Sequence, residues 1–213
     1  INVNKYSSMG EAYNAFKLGD IDILTTENIN IEDNIGTIGY NKKEFYGREH
    51  DFIALNTYDN FLSRWEVRKA ISYAIDKSSI VTSVYGGKYY TADNPLDYGN
   101  WTFEQGSSST GYNPDQAKQV LIDGGWSYKY GSWQKVENYK TIRLSINLTV
   151  NADNSSQVAV ADIIKTSLEN IGIKVNVSKL NSASFQTALN NKNYGMIITG
   201  TNSSLSPSLV TSV

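Results

Sequence analysis

The last third of the chain alternates between the residue spacing of a strand and that of a helix. Residues 141–150 carry an apolar side chain at every second position, which is typical of a strand with one buried face. The spacing then changes four times: a helix that starts at Ser155 or Ser156 and ends at Gly172, a strand at 173–177, a helix capped by Ser182, and a strand at 194–199. This β-α-β-α-β order predicts a parallel sheet with helices on its faces.

The charge balance and the lack of cysteine exclude several classes of protein. The 213 residues contain 19 Lys plus Arg and 21 Asp plus Glu, which gives a net charge of -2, whereas a nucleic-acid surface needs a basic excess. Because cysteine is absent, disulfides, thiol catalysis and cysteine-bound metals are excluded. No apolar run approaches the length of a membrane span. We therefore expect no nucleic-acid partner.

Residues 65–87 predict two consecutive helices. Apolar residues recur at steps of three and four, which places them on one helix face. Ser63 stands three residues before Glu66, the spacing of a reciprocal capping box, and Asp76 is placed to cap the second helix. Gly86–Gly87 predicts its end, because glycine accepts left-handed backbone geometry. Further along, Asn113 and Pro114 predict another helix start, after a long aromatic loop.

The N-terminal region predicts a small βαβ unit. Residues 1–6 alternate like a strand, a helix opens at Ser8, and residues 20–24 read as a second strand. A further strand and turn are expected between Gly36 and Tyr46. Both ends of the chain resemble cuts through a longer protein rather than natural termini.

Several separated motifs resemble the solute-binding proteins of family 5, the oligopeptide- and dipeptide-binding type. The motifs are a strand ending in Asn at Phe52–Thr57, Val67-Arg68-Lys69-Ala70, Ala74-Ile75-Asp76-Lys77, Gly86-Gly87, and the helix from Asn113 to Trp126. The resemblance implies an α/β, periplasmic-binding-protein-like (type II) lobe with a parallel-rich sheet flanked by helices, plus a small βαβ piece of the other lobe. Residues 1–60 would be the C-terminal part of lobe one, ending in a hinge strand, and residues 61–213 the truncated second lobe.

No arrangement of residues predicts an enzyme, a cofactor or a metal site. The only histidine is His50, and no Gly-x-Ser-x-Gly, phosphate loop or dinucleotide fingerprint is present. Asp20 or Asp22 with Asp51 could form a carboxylate pair, but strand-end or capping roles fit these positions better. We therefore predict no catalytic residue.

The residues that predict a site are the polar ones that follow strands, where ligands of open α/β sheets tend to bind. They come from the loop after residues 20–24, the end of the 51–58 strand, and the loops after the first and third strands of the C-terminal run. The predicted ligand-binding residues are Thr26, Glu27, Asn56, Asn151, Gly200, Thr201 and Asn202. In the family, a tryptophan lines the cleft where this chain has Thr201, and this departure bears on the class of ligand.

The resemblance implies binding of a solute, expected to be an oligopeptide, for delivery to an ATP-binding cassette importer. Two lobes would close around the ligand, and the partner would be the membrane permease of the importer. The protein would be an extracytoplasmic monomer, either lipid-anchored at the cell surface or in the periplasm. A sugar and a metal chelate stay open as ligands. The alternative is a surface adhesion or sensing module with no transported ligand.

Overall fold

The computed structural model describes residues 2–26, 28, 30–44, 47, 49–92 and 111–202. The chain forms two compact units, residues 1–47 and residues 48–213. The assignment of residues 1–60 and 61–213 to two lobes stays a prediction. In the described part of the chain, no helix has both the length and the apolar character needed to cross a lipid bilayer. Of the predicted aromatic loop at 88–112, residues 93–110 lie outside the described residues.

The first unit contains the predicted helix but not the predicted strands. Helix α1 spans Met9–Leu18, with the Ser8 hydroxyl accepting from the Glu11 amide, and a short helix α2 spans Glu32–Ile35. The described residues of the segments 1–6, 20–24 and 36–46 form no strand, so the βαβ prediction is wrong in its strands. The physical reason is that alternation alone does not make a strand, which needs a hydrogen-bonded neighbour. No neighbour is present among the described residues of this unit.

The second unit is built on a four-stranded sheet with the strand order β1-β7-β5-β6. Its strands are β1 Glu49–Leu55, β5 Ser145–Asn151, β6 Lys174–Leu180 and β7 Met196–Asn202. Strand β5 is parallel to both β6 and β7, which confirms the predicted parallel core, whereas β1 pairs with β7 antiparallel. The fold class is therefore an α/β lobe with a parallel-rich sheet and one antiparallel edge strand.

Helices cover both faces of this sheet, as the alternating spacing predicts. They are α3 Trp65–Ala74, α4 Lys77–Tyr85, α5 Pro114–Asp123, α6 Ser155–Asn170 and α7 Ser182–Asn190. The apolar faces of α3, α5 and α6 join the inward side chains of the sheet in one buried core that includes Val67, Leu121, Leu148 and Ile164. Because the core occupies one face of the sheet, the polar residues of β5 point to the other face, beside α7, as do Asn176 and Ser178 of β6. Lys179 of β6 instead lies on the α6 side, where its ammonium is 3.5 Å from the Asp162 carboxylate.

Three short strands form a second, antiparallel sheet that the sequence did not predict. They are β2 Ser127–Lys129, β3 Ser132–Glu137 and β4 Lys140–Arg143. The strand predicted over 141–150 is therefore two strands, separated at the buried residue Leu144, whose amide donates to the Trp133 carbonyl. The alternation of apolar residues runs unbroken through both strands, so the change of sheet leaves no mark in the pattern.

Most predicted caps are confirmed, and two are wrong. Asp76 caps α4 and Asn113 caps α5, both by accepting a backbone amide three residues on. Helix α7 is capped by Asn181, and Ser182 is its first residue. The capping box of Ser63 and Glu66 does not form. The Glu66 carboxylate is instead buried, where it faces Trp126 and also Lys135, a residue of β3. The Trp126 indole nitrogen lies 3.4 Å from it and the Lys135 ammonium 3.8 Å.

Candidate functional site

The carboxyl ends of the three parallel strands meet at one edge of the sheet in the second unit. Strands β5, β6 and β7 end there at Asn151, Leu180 and Asn202. Because β1 is antiparallel, the same edge receives its beginning, with Glu49 opposite Asn202 and Asp51 opposite Gly200. We call this the carboxyl edge. Ligands of open α/β sheets bind in this position.

A network of polar side chains closes the loop between β5 and α6. The Ser182 hydroxyl and amide both donate to Asp153 Oδ2, at 2.7 and 2.9 Å, and Asn151 Nδ2 lies 3.3 Å from the same hydroxyl. The Asp153 amide donates in turn to Asn151 Oδ1. These hydrogen bonds, from the Ser182 hydroxyl first, hold the pKa of Asp153 below its usual value. The predicted residue Asn151 is therefore held in one orientation at the carboxyl edge.

The predicted residues Gly200, Thr201 and Asn202 also lie at this edge, but in a different local structure. The sequence predicted a strand ending at Thr199 and a polar loop from 200 onward, whereas β7 continues to Asn202 because β1 pairs with it throughout. Gly200 and Thr201 are exposed. Cross-strand pairing is not visible in the composition of a single segment, which explains the error in the boundary.

Sequence reasoning did not find Asp51 as a member of the edge. Its carboxylate accepts a hydrogen bond of 3.3 Å from the Tyr85 hydroxyl at the end of α4. A β-carbon at Gly200 would lie 2.5 Å from Asp51 Oδ1, so the carboxylate lies across the glycine. Partial burial raises the pKa of Asp51, and the Tyr85 hydrogen bond opposes this shift. The sequence contained a signal for Asp51. In the predicted strand this acidic residue lies on the same face as the apolar residues Ile53 and Leu55.

Asn56 lies at the opposite edge of the same sheet. It follows the last residue of β1, where Leu55 is paired with Met196 at the start of β7. Its amide nitrogen lies 3.2 Å from the Lys192 carbonyl and 3.0 Å from the Tyr194 carbonyl, and its oxygen accepts from the Tyr58 amide. The structure therefore does not bring Asn56 together with Asn151 and Gly200.

The two predicted residues of the first unit belong to a separate turn. Thr26 Oγ1 lies 3.2 Å from the Tyr13 hydroxyl and accepts from the Asn28 amide at 3.1 Å. These contacts hold the turn against α1. Glu27 lies outside the described residues. The roles predicted for Thr26 and Glu27 in ligand binding stay predictions.

An open groove of about 510 Å³ runs between α7 and the polar face of β5 and β6. Its lining combines apolar side chains from Leu180, Ala183 and Ala188 with the hydroxyl and amide side chains of Thr149, Ser178, Ser184, Thr187, Asn191 and Asn193. Sequence reasoning missed this groove. The available signal was the polar half of the alternation in β5 and β6, which assigns Thr149 and Ser178 to the strand face opposite the core. The structure pairs these two residues across the strands.

Comparisons with known proteins bear on all of the chain except its last two residues. The family described as bacterial extracellular solute-binding proteins, family 5 Middle, matches residues 1–211. The heme-binding protein A of Haemophilus influenzae is 29% identical over 59% of this chain and 21% of its own length. The nickel-binding periplasmic protein of Escherichia coli is 26% identical over 86% of this chain and 36% of its own length.

A solved structure shows the same fold. The oligopeptide-binding protein AppA of Bacillus subtilis, in complex with a nonapeptide, superposes with a TM-score of 0.74 at 22% identity. The match covers 93% of this chain and 40% of AppA. The chain thus spans less than half the length of the proteins it matches. The two curated relatives and AppA carry different ligands in their names, so the likeness does not assign a ligand to this chain.

Proposed function

The chain belongs to the bacterial extracellular solute-binding proteins of family 5, and from this premise we propose that it helps to bind an oligopeptide for delivery to an ATP-binding cassette importer. The observation that carries the proposal is the carboxyl edge, where Asn151, Ser182 and Thr201 present amide and hydroxyl groups at the position used by ligands of α/β sheets. Because the chain spans only part of each relative, the activity is proposed for the whole protein.

An oligopeptide suits this edge better than a ligand of a single charge type. A peptide backbone carries an N–H donor and a C=O acceptor at almost every residue. Amide and hydroxyl side chains can form hydrogen bonds with both groups. Asn offers two donors and an acceptor, and Ser and Thr offer one donor with acceptor lone pairs. In the proposed cycle, two lobes close around the peptide, and the closed form is favoured because it binds the ligand more tightly.

The remaining parts of the proposal follow from the family. We place the protein outside the cytoplasm, either lipid-anchored at the cell surface or in the periplasm, as a monomer. Its partner is the permease of the importer. The proposed role is binding, with no catalytic residue and no cofactor.

Native mass spectrometry of the full-length protein, purified without denaturation, tests the ligand class. We expect a ladder of added masses that fit short peptides. A single discrete added mass would point instead to a sugar or a metal chelate. No added mass, together with no rise in melting temperature on adding peptide pools, would contradict transport.

That last outcome would favour the alternative of a surface adhesion or sensing module. One observation supports this alternative, namely two tyrosines at the turns of the β2-β3-β4 sheet. Tyr130 and Tyr139 are 95% and 104% exposed and have positive φ angles of 52° and 62°. Exposed aromatic rings on tight turns are typical of contact surfaces.

A further inference from the structure

The β2-β3-β4 sheet carries a positive charge, whereas the rest of the chain is acidic. Residues 127–143 contain four cations and one carboxylate, a net charge of +3, while the whole chain has a net charge of -2. The carboxylate belongs to Glu137, which forms ion pairs with Arg64 at 2.6 Å and with Lys135 at 3.5 Å. These two contacts, the Arg64 hydrogen bond first, hold the pKa of Glu137 below its usual value. The acid of this sheet is therefore already paired within the protein.

Three of the four cations have no carboxylate partner in the part of the chain that the structure describes. Lys129, Lys140 and Arg143 are exposed, and the Asp and Glu oxygens of the described residues all lie more than 4.0 Å from their charged groups. Lys129 ends β2, whereas Lys140 begins β4 and Arg143 ends it. The charges are therefore spread over the sheet, which suits a flat anionic surface better than a single bound anion.

An exposed tyrosine accompanies a lysine at each turn of the sheet. Tyr130 follows Lys129 between β2 and β3, and Tyr139 precedes Lys140 between β3 and β4. Between the two turns, Val136 of β3 is 70% exposed. A tyrosine has an apolar ring with a polar tip, and a lysine has an apolar stem with a charged head, so both side chains favour the boundary between water and a lipid bilayer. The sheet thus combines the two features that an anionic bilayer attracts.

The position of the sheet leaves the carboxyl edge free. Arg143 ends β4 just before β5 begins at Ser145, so the sheet joins the end of β5 that is opposite the carboxyl edge. The Trp133 indole nitrogen donates to the Ile171 carbonyl at 2.7 Å, just before β6 begins, and this bond holds the sheet at the same end. A surface that binds this sheet therefore does not cover the proposed ligand edge.

We propose that the β2-β3-β4 sheet docks the protein on an anionic lipid bilayer. The rings of Tyr130 and Tyr139 enter the headgroup region, and the three unpaired cations lie against lipid phosphates. This inference goes beyond ligand binding, because it concerns the side of the protein that lies on the membrane, and it does not depend on the class of ligand.

The test is co-sedimentation of the full-length protein, expressed without a lipid anchor, with phospholipid vesicles. One set of vesicles contains equimolar phosphatidylglycerol and phosphatidylcholine, and the other contains phosphatidylcholine alone. One variant removes the three cations (Lys129→Gln, Lys140→Gln and Arg143→Gln), and a second removes the two rings (Tyr130→Gly and Tyr139→Gly), because glycine accepts their positive φ angles. The matched control removes three exposed cations from α5, α6 and β6 (Lys118→Gln, Lys165→Gln and Lys179→Gln).

We expect the unmodified protein and the control to bind the anionic vesicles at least about tenfold more tightly than the neutral ones. The three-cation variant should lose this difference, and the two-ring variant should bind the anionic vesicles about threefold or more weakly. An equal loss in the control, or no preference for anionic vesicles in the unmodified protein, would overturn the inference. Binding to soluble polyglutamate as tight as to anionic vesicles would also overturn it, in favour of an acidic polypeptide.

Two further measurements keep the outcomes distinct. Affinity for short peptides, measured in parallel, should be the same in all variants, so a failure of vesicle binding with intact peptide binding overturns this inference alone. Failure of peptide binding with intact vesicle binding overturns the proposed function alone. The melting temperature of each variant shows whether it folds, and if the two-ring variant does not, the three-cation variant and its control still decide the result.

Discussion

Two asparagines lie where strands of the same sheet end, and their side chains contact different kinds of partner. Asn151 is the last residue of β5 at the carboxyl edge, where its side chain contacts the exposed residue Ser182. Asn56 follows β1 at the other edge, where its amide group bonds three backbone groups of neighbouring turns. The difference arises from strand direction, because within this four-stranded sheet β1 pairs antiparallel and the other strands pair in parallel. A polar residue at the end of a strand therefore indicates the carboxyl edge only when that strand is parallel to the central strands of the sheet.

The comparison predicts that changes at the Asn56 edge mainly affect folding, whereas changes at the carboxyl edge mainly affect binding. The largest expected effect is that of Gly195→Ala, beside Asn56. A β-carbon there would lie 2.9 Å from the Asn147 carbonyl oxygen, which is backbone within β5 and has little freedom to move. We expect a loss of about 3 kcal/mol in the free energy of unfolding, measured by urea denaturation. A loss below about 1 kcal/mol would show that this edge is not tightly packed.

Asn56→Ala is expected to have the next largest effect. The substitution leaves the carbonyls of Lys192 and Tyr194 and the amide of Tyr58 without this partner. We expect a loss of about 2 kcal/mol in urea denaturation, with unchanged ligand affinity of the folded fraction. A loss of affinity with normal stability would instead place Asn56 in the binding site and break the comparison.

Gly200→Ala is the matched change at the carboxyl edge. Its new methyl group meets the Asp51 carboxylate, which is the end of a side chain and can rotate away. We expect a loss of less than about 1 kcal/mol in urea denaturation. Affinity for short peptides should fall at the same time, because the new methyl group lies at the proposed ligand edge. A loss of stability equal to that of Gly195→Ala would show that the two edges are equally rigid.

The smallest expected effect is a pH dependence at the carboxyl edge. Since the pKa of Asp153 is lowered in the folded protein, its contribution to stability is complete above the ordinary aspartate pKa of about 4. The contribution disappears as the pH falls through the lower, folded value. We expect the melting temperature to fall more steeply below about pH 4 in the unmodified protein than in Asp153→Asn. Parallel curves would contradict a role for the Ser182 hydrogen bonds.

The parts of the fold that the sequence predicts are those determined by near neighbours in the chain. Helices α3 and α4, the Asp76 cap and the αL glycines Gly86 and Gly87 depend on residues within a few positions of each other. The family resemblance added the fold class. Asn151 was also placed at the correct edge, because the parallel β5-α6-β6 order determines which ends of the strands meet.

The errors come from contacts between distant segments. Glu66 has the spacing of a capping residue, but Trp126 and Lys135 surround its carboxylate. The direction of β1 and the extension of β7 to Asn202 depend on their mutual pairing, which no local pattern encodes. Asp51 was set aside for the same reason, since Gly200 and Tyr85 approach it only in the folded chain.

The pairing of β1 with β7 also has a consequence for the rate of folding. It joins residues near position 50 to residues near position 200, whereas β5, β6 and β7 lie close together in the chain. Contacts of such long sequence separation form slowly, because a large loop must close before they contribute any stability. We expect the parallel core to assemble first and β1 to join it late. Until then, the side of β7 that β1 covers is an unpaired edge open to other chains.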